Sequence, residues 1–145
     1  MSKVEDFLTP NQEEEIIDAI RSAEKDTSGE IRVHIEKCTE KDPLERAKEV
    51  FHFLKMDETE LHNGVLFYVA VDDKKFSILG DKGIDKLVPE TFWDSIRDIV
   101  LAKFKKGEYA NGLKLGIMEA GNKLKRFFPY QKDDNNELHD SISLG

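Results

Sequence analysis

Four side chains in this sequence carry oxygen atoms and lie at predicted boundaries of strands or helices: Asp26, Glu30, Asn63 and Asp81. Each of the last three has a glycine as a direct neighbour. Carboxylate and amide oxygens are the ligands that Ca²⁺ and Mg²⁺ prefer, and glycine lets backbone carbonyl oxygens come close to an ion. Carboxylates gathered in one place also need a cation to offset their repulsion. These residue types therefore predict a divalent-cation site, provided that the fold brings them together.

Three predicted strands carry these residues. Residues Glu30–Glu36 alternate strictly between polar and apolar side chains, which predicts a half-buried strand. Residues Gly64–Val71 are apolar without alternation, which predicts a strand buried on both faces. Residues 72–74 are polar and predict a turn, and Phe76–Leu79 then predicts the returning strand of a hairpin. The second strand is thus the centre of the predicted sheet.

The order of these strands determines where their ends lie. The first two strands are joined through a predicted helix, and a crossover of this kind makes neighbouring strands parallel. Parallel strands begin at the same end of a sheet, and the hairpin strand returns to that end. We therefore expect Glu30, Asn63 and Asp81 to meet at one rim of the sheet. The end of the first helix brings Asp26 and residues 27–28 to the same rim.

Four longer helices complete the predicted fold. The element order is α-β-α-β-β-α-α, and a central strand buried on both faces needs helices on both sides. The predicted fold class is therefore α/β, with a three-layer α/β/α sandwich around a small mixed sheet. Residues 1–129 form one predicted domain, and residues 130–145 are a polar tail predicted to be disordered. The helices are predicted to begin near Thr9, Asp42, Pro89 and Gly107.

Composition excludes several classes of partner. The chain has 145 residues and a net charge of −8, which disfavours binding to nucleic acid and to anionic membranes. The single cysteine, Cys38, excludes an intrachain disulfide and suits a reducing compartment. We find neither a secretory signal nor an apolar run near the roughly 20 residues that span a bilayer, so a cytoplasmic location is expected.

Other residues near the predicted rim could contact a substrate. His62 could act as a general acid or contact a phosphate group, and Lys82 could contact the same group. Cys38 has no base at a readable spacing, so a nucleophilic role is not expected. The competing interpretation is that the rim residues only form turns, because Asp, Asn, Ser and Gly dominate turns in all proteins.

The order of several short motifs resembles the TPM domain family, which includes thylakoid-lumen phosphatase and photosystem-repair proteins. The motifs are TSGEI at residues 27–31, HNGVLFYVAVDDKKFSILGDKGI at residues 62–84, the pair Phe92-Trp93 and the terminal pair Phe128-Pro129. The resemblance extends from about Val4 to Pro129. Many relatives read Gly-x-Gly-Leu-Glu after the hairpin, whereas this chain reads GDKGID.

The resemblance implies an α/β/α sandwich, a divalent-cation site that is chiefly selective for Ca²⁺, and a modest phosphatase activity. It assigns Asp81 and Glu30 as metal ligands, whereas Asn63 and Asp26 are assigned by the topology argument above. Two functions remain open. One is a metal-dependent phosphatase that acts on a phosphorylated small molecule. The other is a non-enzymatic, cation-stabilised module that binds a protein partner.

Overall fold

The computed structural model describes residues 7–130 and 142–144. Within these residues, two short 3₁₀ turns lie at Met56–Glu58 and Glu90–Trp93. The strands are β1 (Glu30–Glu36), β2 (Gly64–Ala70), β3 (Lys75–Gly80) and β4 (Ser143–Leu144). The α-helices are α1 (Pro10–Glu24), α2 (Pro43–Phe53), α3 (Lys82–Asp85), α4 (Asp94–Lys105) and α5 (Tyr109–Leu124).

The strands form one mixed sheet in the order β3-β2-β1-β4. β1 and β2 are parallel, and β2 and β3 form the antiparallel hairpin, so the predicted central strand and its pairing are confirmed. β4 lies parallel to β1, with Ser143 opposite His34 and Leu144 opposite Ile35. This fourth strand lies within the predicted tail and was not expected. Most of that tail, residues 131–141 and 145, lies outside the described residues.

Side-chain N-caps mark the starts of α1 and α2. The Thr9 hydroxyl accepts a hydrogen bond from the backbone N–H of Gln12, and the Gln12 side chain accepts one from the Thr9 N–H. The Asp42 carboxylate caps α2 in a similar way, with a proline following at the first helical position. At the third predicted start, Pro89 is followed by a 3₁₀ turn, and α4 begins only at Asp94.

Helices cover both faces of the sheet, which confirms the three-layer sandwich. The larger core lies between one sheet face and helices α1, α4 and α5. The smaller core lies between the other face and α2. The side chains that β2 gives to the smaller core are Leu66, Tyr68 and Ala70.

The prediction that β1 is half-buried was wrong. Its alternation is real, but the polar face is largely buried on the side of the sheet that packs against α2. Glu30, His34 and Glu36 are all buried on that face, and Arg32 is partly buried. Buried polar groups need partners, so hydrogen-bond networks are expected on this face of β1.

A helix that crosses a bilayer must be both long and apolar. None of the helices in the two described segments is both long enough and apolar enough to cross a bilayer.

Candidate functional site

The predicted rim forms where β1, β2 and the end of β3 meet. Glu30 lies opposite Gly64, and the Glu30 N–H donates to the Asn63 carbonyl at 3.2 Å. The Asp81 N–H donates to the Gly64 carbonyl at 2.9 Å. The chain path inferred from the sequence is therefore present. β2 separates Glu30 from Asp81, so their backbones lie about 10 Å apart, which is two strand spacings.

Asp81 is the most unusual residue of this rim. Only 8% of it is exposed. Its Oδ1 atom accepts a hydrogen bond from the Lys82 N–H at 2.7 Å and so caps α3. Its Oδ2 atom is buried and has no hydrogen-bond partner among the described residues. Leaving a buried carboxylate oxygen unsatisfied is costly, which makes this atom a candidate position for a bound ligand.

The nearest basic group to this oxygen is the imidazole of His62. Its Nδ1 atom lies 3.5 Å from Asp81 Oδ2, which is too long for a good hydrogen bond. Nδ1 is also buried without a hydrogen-bond partner in the described part of the chain. His62 has a φ of +50°, in the left-handed region that residues other than glycine seldom adopt. The loop thus holds His62 in an uncommon backbone conformation beside Asp81.

Two backbone oxygens of the loop before β2 pack closely against Gly83 of α3. A Cβ atom added to Gly83 would lie 2.4 Å from the His62 carbonyl oxygen and 2.5 Å from the Leu61 carbonyl oxygen. Only glycine permits this approach between α3 and the loop before β2. Two carbonyl oxygens and one unsatisfied carboxylate oxygen therefore lie around the start of α3. Such oxygen atoms are the donors that hard cations bind.

Asn63 and Thr27 act in holding the rim together. The Asn63 side chain donates to the Ser28 carbonyl oxygen at 3.1 Å. The Thr27 hydroxyl donates to the Phe128 carbonyl oxygen and accepts from the Gly29 N–H at 3.1 Å. These bonds tie the chain before β1 to β2 and to the end of α5.

The other residues predicted to bind a metal ion or a phosphate group differ in their exposure to solvent. Glu30 is buried, whereas Asp26 and Lys82 are exposed. Within residues 7–130 and 142–144, no three His, Cys, Asp or Glu side chains come together in a way that could hold a metal ion. A cation at this rim would therefore depend on Asp81 together with backbone oxygens and water. The ligand roles predicted for Glu30, Asn63 and Asp26 stay predictions.

Sequence reasoning missed two polar contributors to this end of the sheet. Thr59 is buried, and its hydroxyl oxygen has no hydrogen-bond partner in the described segments. The Glu24 carboxylate accepts a hydrogen bond from the Ile31 N–H at 3.0 Å, on the outer edge of β1. Both residues lie in ordinary polar stretches of sequence, so no local pattern distinguishes them.

A second buried polar cluster lies toward the opposite end of β1. Glu36 accepts hydrogen bonds from Arg46 Nε at 2.8 Å and Arg46 Nη2 at 3.0 Å. It also accepts a hydrogen bond from the Tyr68 hydroxyl. His34 Nε2 lies 3.1 Å from the same carboxylate, and His34 Nδ1 lies 3.0 Å from the Ser143 hydroxyl. We call these five residues the Glu36 cluster.

The pKa values in the Glu36 cluster reflect its hydrogen bonds. Burial alone would raise the pKa of Glu36, but the bonds from Arg46, Tyr68 and His34 outweigh burial and lower the pKa to about 2. Burial and the Glu36 carboxylate raise the pKa of Tyr68. Burial lowers the pKa of His34. The buried polar atoms of this cluster are hydrogen-bonded to each other, so the cluster is structural, whereas the rim at Asp81 has unsatisfied atoms.

The fold and the rim define a class of protein. The sequence profile of the TPM domain family matches residues 1–123, so the chain belongs to the TPM domain family. No functionally curated protein matches the chain.

Solved structures show the same fold. The chain is similar to the BA42 protein from the psychrophilic bacterium Bizionia argentinensis, with 56% identity, a TM-score of 0.93 and coverage of 100% of both chains. It also resembles the N-terminal domain of a protein from P. gingivalis, with 19% identity and a TM-score of 0.69 over 84% of this chain and 79% of that one. The N-terminal domain of the cg2496 protein from Corynebacterium glutamicum has 11% identity and a TM-score of 0.67, over 91% and 84% of the two chains.

Proposed function

We propose that this TPM domain binds a divalent cation, Ca²⁺ or Mg²⁺, at the rim beside Asp81. The observation that carries the proposal is the buried Oδ2 atom of Asp81, which has no hydrogen-bond partner among the described residues. A bound cation would compensate the burial of this charge, which the neighbouring imidazole does only at 3.5 Å.

The residues at the rim fit such an ion. Asp81 would supply the anchoring carboxylate, and the loop whose Leu61 and His62 carbonyl oxygens pack against Gly83 would supply backbone oxygens. Glu30, two strand spacings away across β2, would add negative charge to the site through bridging water and would not be a direct ligand. Mg²⁺ is commonly held by one or two carboxylates with several waters, and Ca²⁺ accepts carbonyl oxygens readily, so a site without three carboxylates suits either ion.

The first test is a thermal melt with and without added CaCl₂ or MgCl₂. Saturation to about 100 times Kd stabilises a protein by about 2.7 kcal/mol, which corresponds to a rise in Tm of about 5–10 °C for a domain of this size. Asp81→Asn is expected to abolish this rise because the amide keeps the shape and removes the charge. Asp98→Asn, on the exposed surface of α4, is the matched control and should keep the full rise.

An unchanged rise in the Asp81→Asn protein would refute the proposed site. Backbone amide shifts in NMR spectra give a second readout. They should concentrate at residues 61–64 and 80–84 as the ion is added.

Hydrolysis of phosphate esters is the second candidate function. It is favoured by the position of His62 beside Asp81 and by the exposed Lys82 at the start of α3. A bound divalent cation supplies charge stabilisation for a phosphate oxygen and activates water. Lys82 would bind the phosphate group, and His62 would hold or transfer a proton at its imidazole.

The test of hydrolysis is cation-dependent turnover of p-nitrophenyl phosphate. Turnover is expected to fall by about 10²-fold or more in His62→Ala, because a general acid or base contributes roughly that factor. Lys86→Ala, an exposed lysine one turn further along, is the control for Lys82→Ala. Turnover that persists equally in both His62→Ala and Asp81→Asn would exclude this mechanism.

The non-enzymatic alternative rests on exposed apolar side chains near the rim. Leu61 and Leu87 are 41% and 54% exposed, and both lie in segments next to α3. A cation-dependent rise in Tm without turnover would favour a cation-stabilised interaction module. The cytoplasmic location stays a prediction.

A further inference from the structure

The two edges of the sheet differ in how far other parts of the chain cover them. The outer edge of β1 is covered in part by β4, and the Glu24 carboxylate accepts from the Ile31 N–H further along the same edge. The outer edge of β3 has no paired strand among residues 7–130 and 142–144. Open edges expose backbone hydrogen-bonding groups to other chains, and proteins usually block them.

The register identifies which backbone groups this edge presents. Asp81 donates its N–H to Gly64, so Asp81 and every second residue before it bond inward to β2. Phe76, Ile78 and Gly80 are the alternate residues, and their N–H and C=O groups therefore point outward. The edge thus presents three donors and three acceptors in the spacing of a β-ladder.

This edge forms the floor of a groove. The groove has a volume of about 430 Å³, and residues Phe76–Gly80 line it along their length. Trp93 lies directly over the strand, because a Cβ atom added to Gly80 would lie 2.3 Å from its ring. The two walls, formed by the start of α2 on one side and by α3 with the start of α4 on the other, are Asp42, Pro43, Leu44, Asp85, Trp93 and Arg97.

We propose that this groove binds an extended segment of another polypeptide, which adds to the sheet as a strand beside β3. Addition of a strand to a free edge is a recurrent mode of peptide recognition, in which the main chain supplies affinity and side-chain pockets supply specificity. The walls lie on either side of the edge strand and leave its outward backbone groups at the bottom of the groove. A second copy of this protein would have to bring its own walls into the same space.

The side chains of the groove define the chemistry of that segment. Leu44 is partly exposed on one wall, and Trp93 lies on the other, so apolar side chains of the segment would pack on both faces. Asp42, which caps α2, and Asp85, which accepts a hydrogen bond from the Trp93 side chain, add two carboxylates. Arg97 is already paired with Asp94 at 3.3 Å. The groove and the net charge of −8 therefore favour a segment that carries lysine or arginine among apolar residues.

The experiment selects octapeptides from a random display library on the intact protein. The expected result is enrichment of sequences with alternating apolar residues and at least one basic residue. The most enriched peptide is then synthesised and added to ¹⁵N-labelled protein for hydrogen-exchange NMR. The amides of Phe76, Ile78 and Gly80 should gain protection by 10-fold or more, whereas those of Ser77 and Leu79 should already be protected in the free protein.

Two variants make the result decisive. Asp85→Lys reverses one groove charge at an exposed position and should weaken binding of the basic peptide by 10-fold or more. Ile78→Pro removes one outward N–H together with a buried core side chain, so Ile78→Ala, which removes only the side chain, is its control. Binding should be abolished in Ile78→Pro and retained in Ile78→Ala. Failure to enrich any peptide, or protection without the alternating pattern, would overturn the proposal. Protection of the same three amides that rises with protein concentration alone would assign the edge to a second copy and also overturn it.

Discussion

Replacement of Glu36 with alanine is expected to lower the free energy of unfolding by about 3–5 kcal/mol, the usual cost of removing one partner from a buried ion pair. Glu36 is 5% exposed and accepts hydrogen bonds from Arg46, Tyr68 and His34. Its removal leaves a guanidinium group and a buried hydroxyl without their acceptor. Because His34 also holds Ser143, the attachment of β4 to β1 should weaken as well.

Glu49 provides a matched control on the same arginine. Its carboxylate lies 3.3 Å from Arg46 Nη1, but its side chain is 43% exposed. Glu49→Ala is therefore expected to destabilise the fold far less than Glu36→Ala does, because exposed ion pairs contribute little. Urea unfolding of both variants gives the comparison, and equal losses would show that burial of Glu36 contributes nothing special.

Acid unfolding checks the same interaction without a large change in packing. The folded-state pKa of Glu36 is lowered to about 2 from its ordinary value of 4.5, so its carboxylate stabilises the folded state above pH 4.5. That contribution, about 3 kcal/mol, is lost progressively as the pH falls from about 4.5 to about 2. In the Glu36→Ala protein this part of the pH dependence should be absent.

The fold could be predicted because its decisive signals are local. The uninterrupted apolar run of β2, the polar turn after it and the helix caps at Thr9 and Asp42 each determine one element. The crossover rule then gives parallel pairing of β1 and β2. β4 could not be predicted, because two residues carry no periodicity and their pairing depends on a contact with His34 that is distant in sequence.

The polar face of β1 shows why the sites were harder to predict. Alternation of polar and apolar residues ordinarily predicts a face in water, yet α2 covers this face and the Glu36 cluster satisfies its charges. Burial of this face depends on Arg46 and Tyr68, which donate hydrogen bonds to Glu36 from α2 and β2. The local sequence of β1 does not show these partners. At the rim, topology alone brought Glu30, Asn63 and Asp81 together. It could not show that the Asn63 amide bonds Ser28 while Asp81 keeps an unsatisfied oxygen.

The Glu36 cluster and the rim beside Asp81 are expected to affect different properties, namely stability and ligand binding. Hydrogen bonds within the Glu36 cluster account for its buried polar atoms, so its expected effect is on unfolding. At the rim, the buried side-chain atoms without a hydrogen bond in the described segments include those of Asp81, His62 and Thr59. Unsatisfied buried groups reduce stability, and they persist where a ligand compensates them. Variants of the rim should therefore change the response to ligand more than variants of the Glu36 cluster do.

Gly83→Ala is expected to abolish the proposed cation response. The added methyl group would lie within 2.4–2.5 Å of two backbone carbonyl oxygens, of Leu61 and His62, and neither can move without displacing the loop before β2. Overpacking of this kind typically costs about 1–3 kcal/mol. Displacement of the loop would also move His62 away from Asp81 and shift the loop carbonyl oxygens, so the rise in Tm on addition of CaCl₂ should be lost.

Gly107→Ala separates loss of stability from loss of the site. Gly107 has a φ of +76° and open space around its Cα, so alanine there costs about 1–2 kcal/mol through backbone conformation alone. Both variants should therefore melt earlier without added ion, by similar amounts. Only Gly83→Ala should fail to gain stability when CaCl₂ is added. A full Ca²⁺-induced rise in the Gly83→Ala protein would mean that the loop carbonyls and His62 take no part in holding the ion.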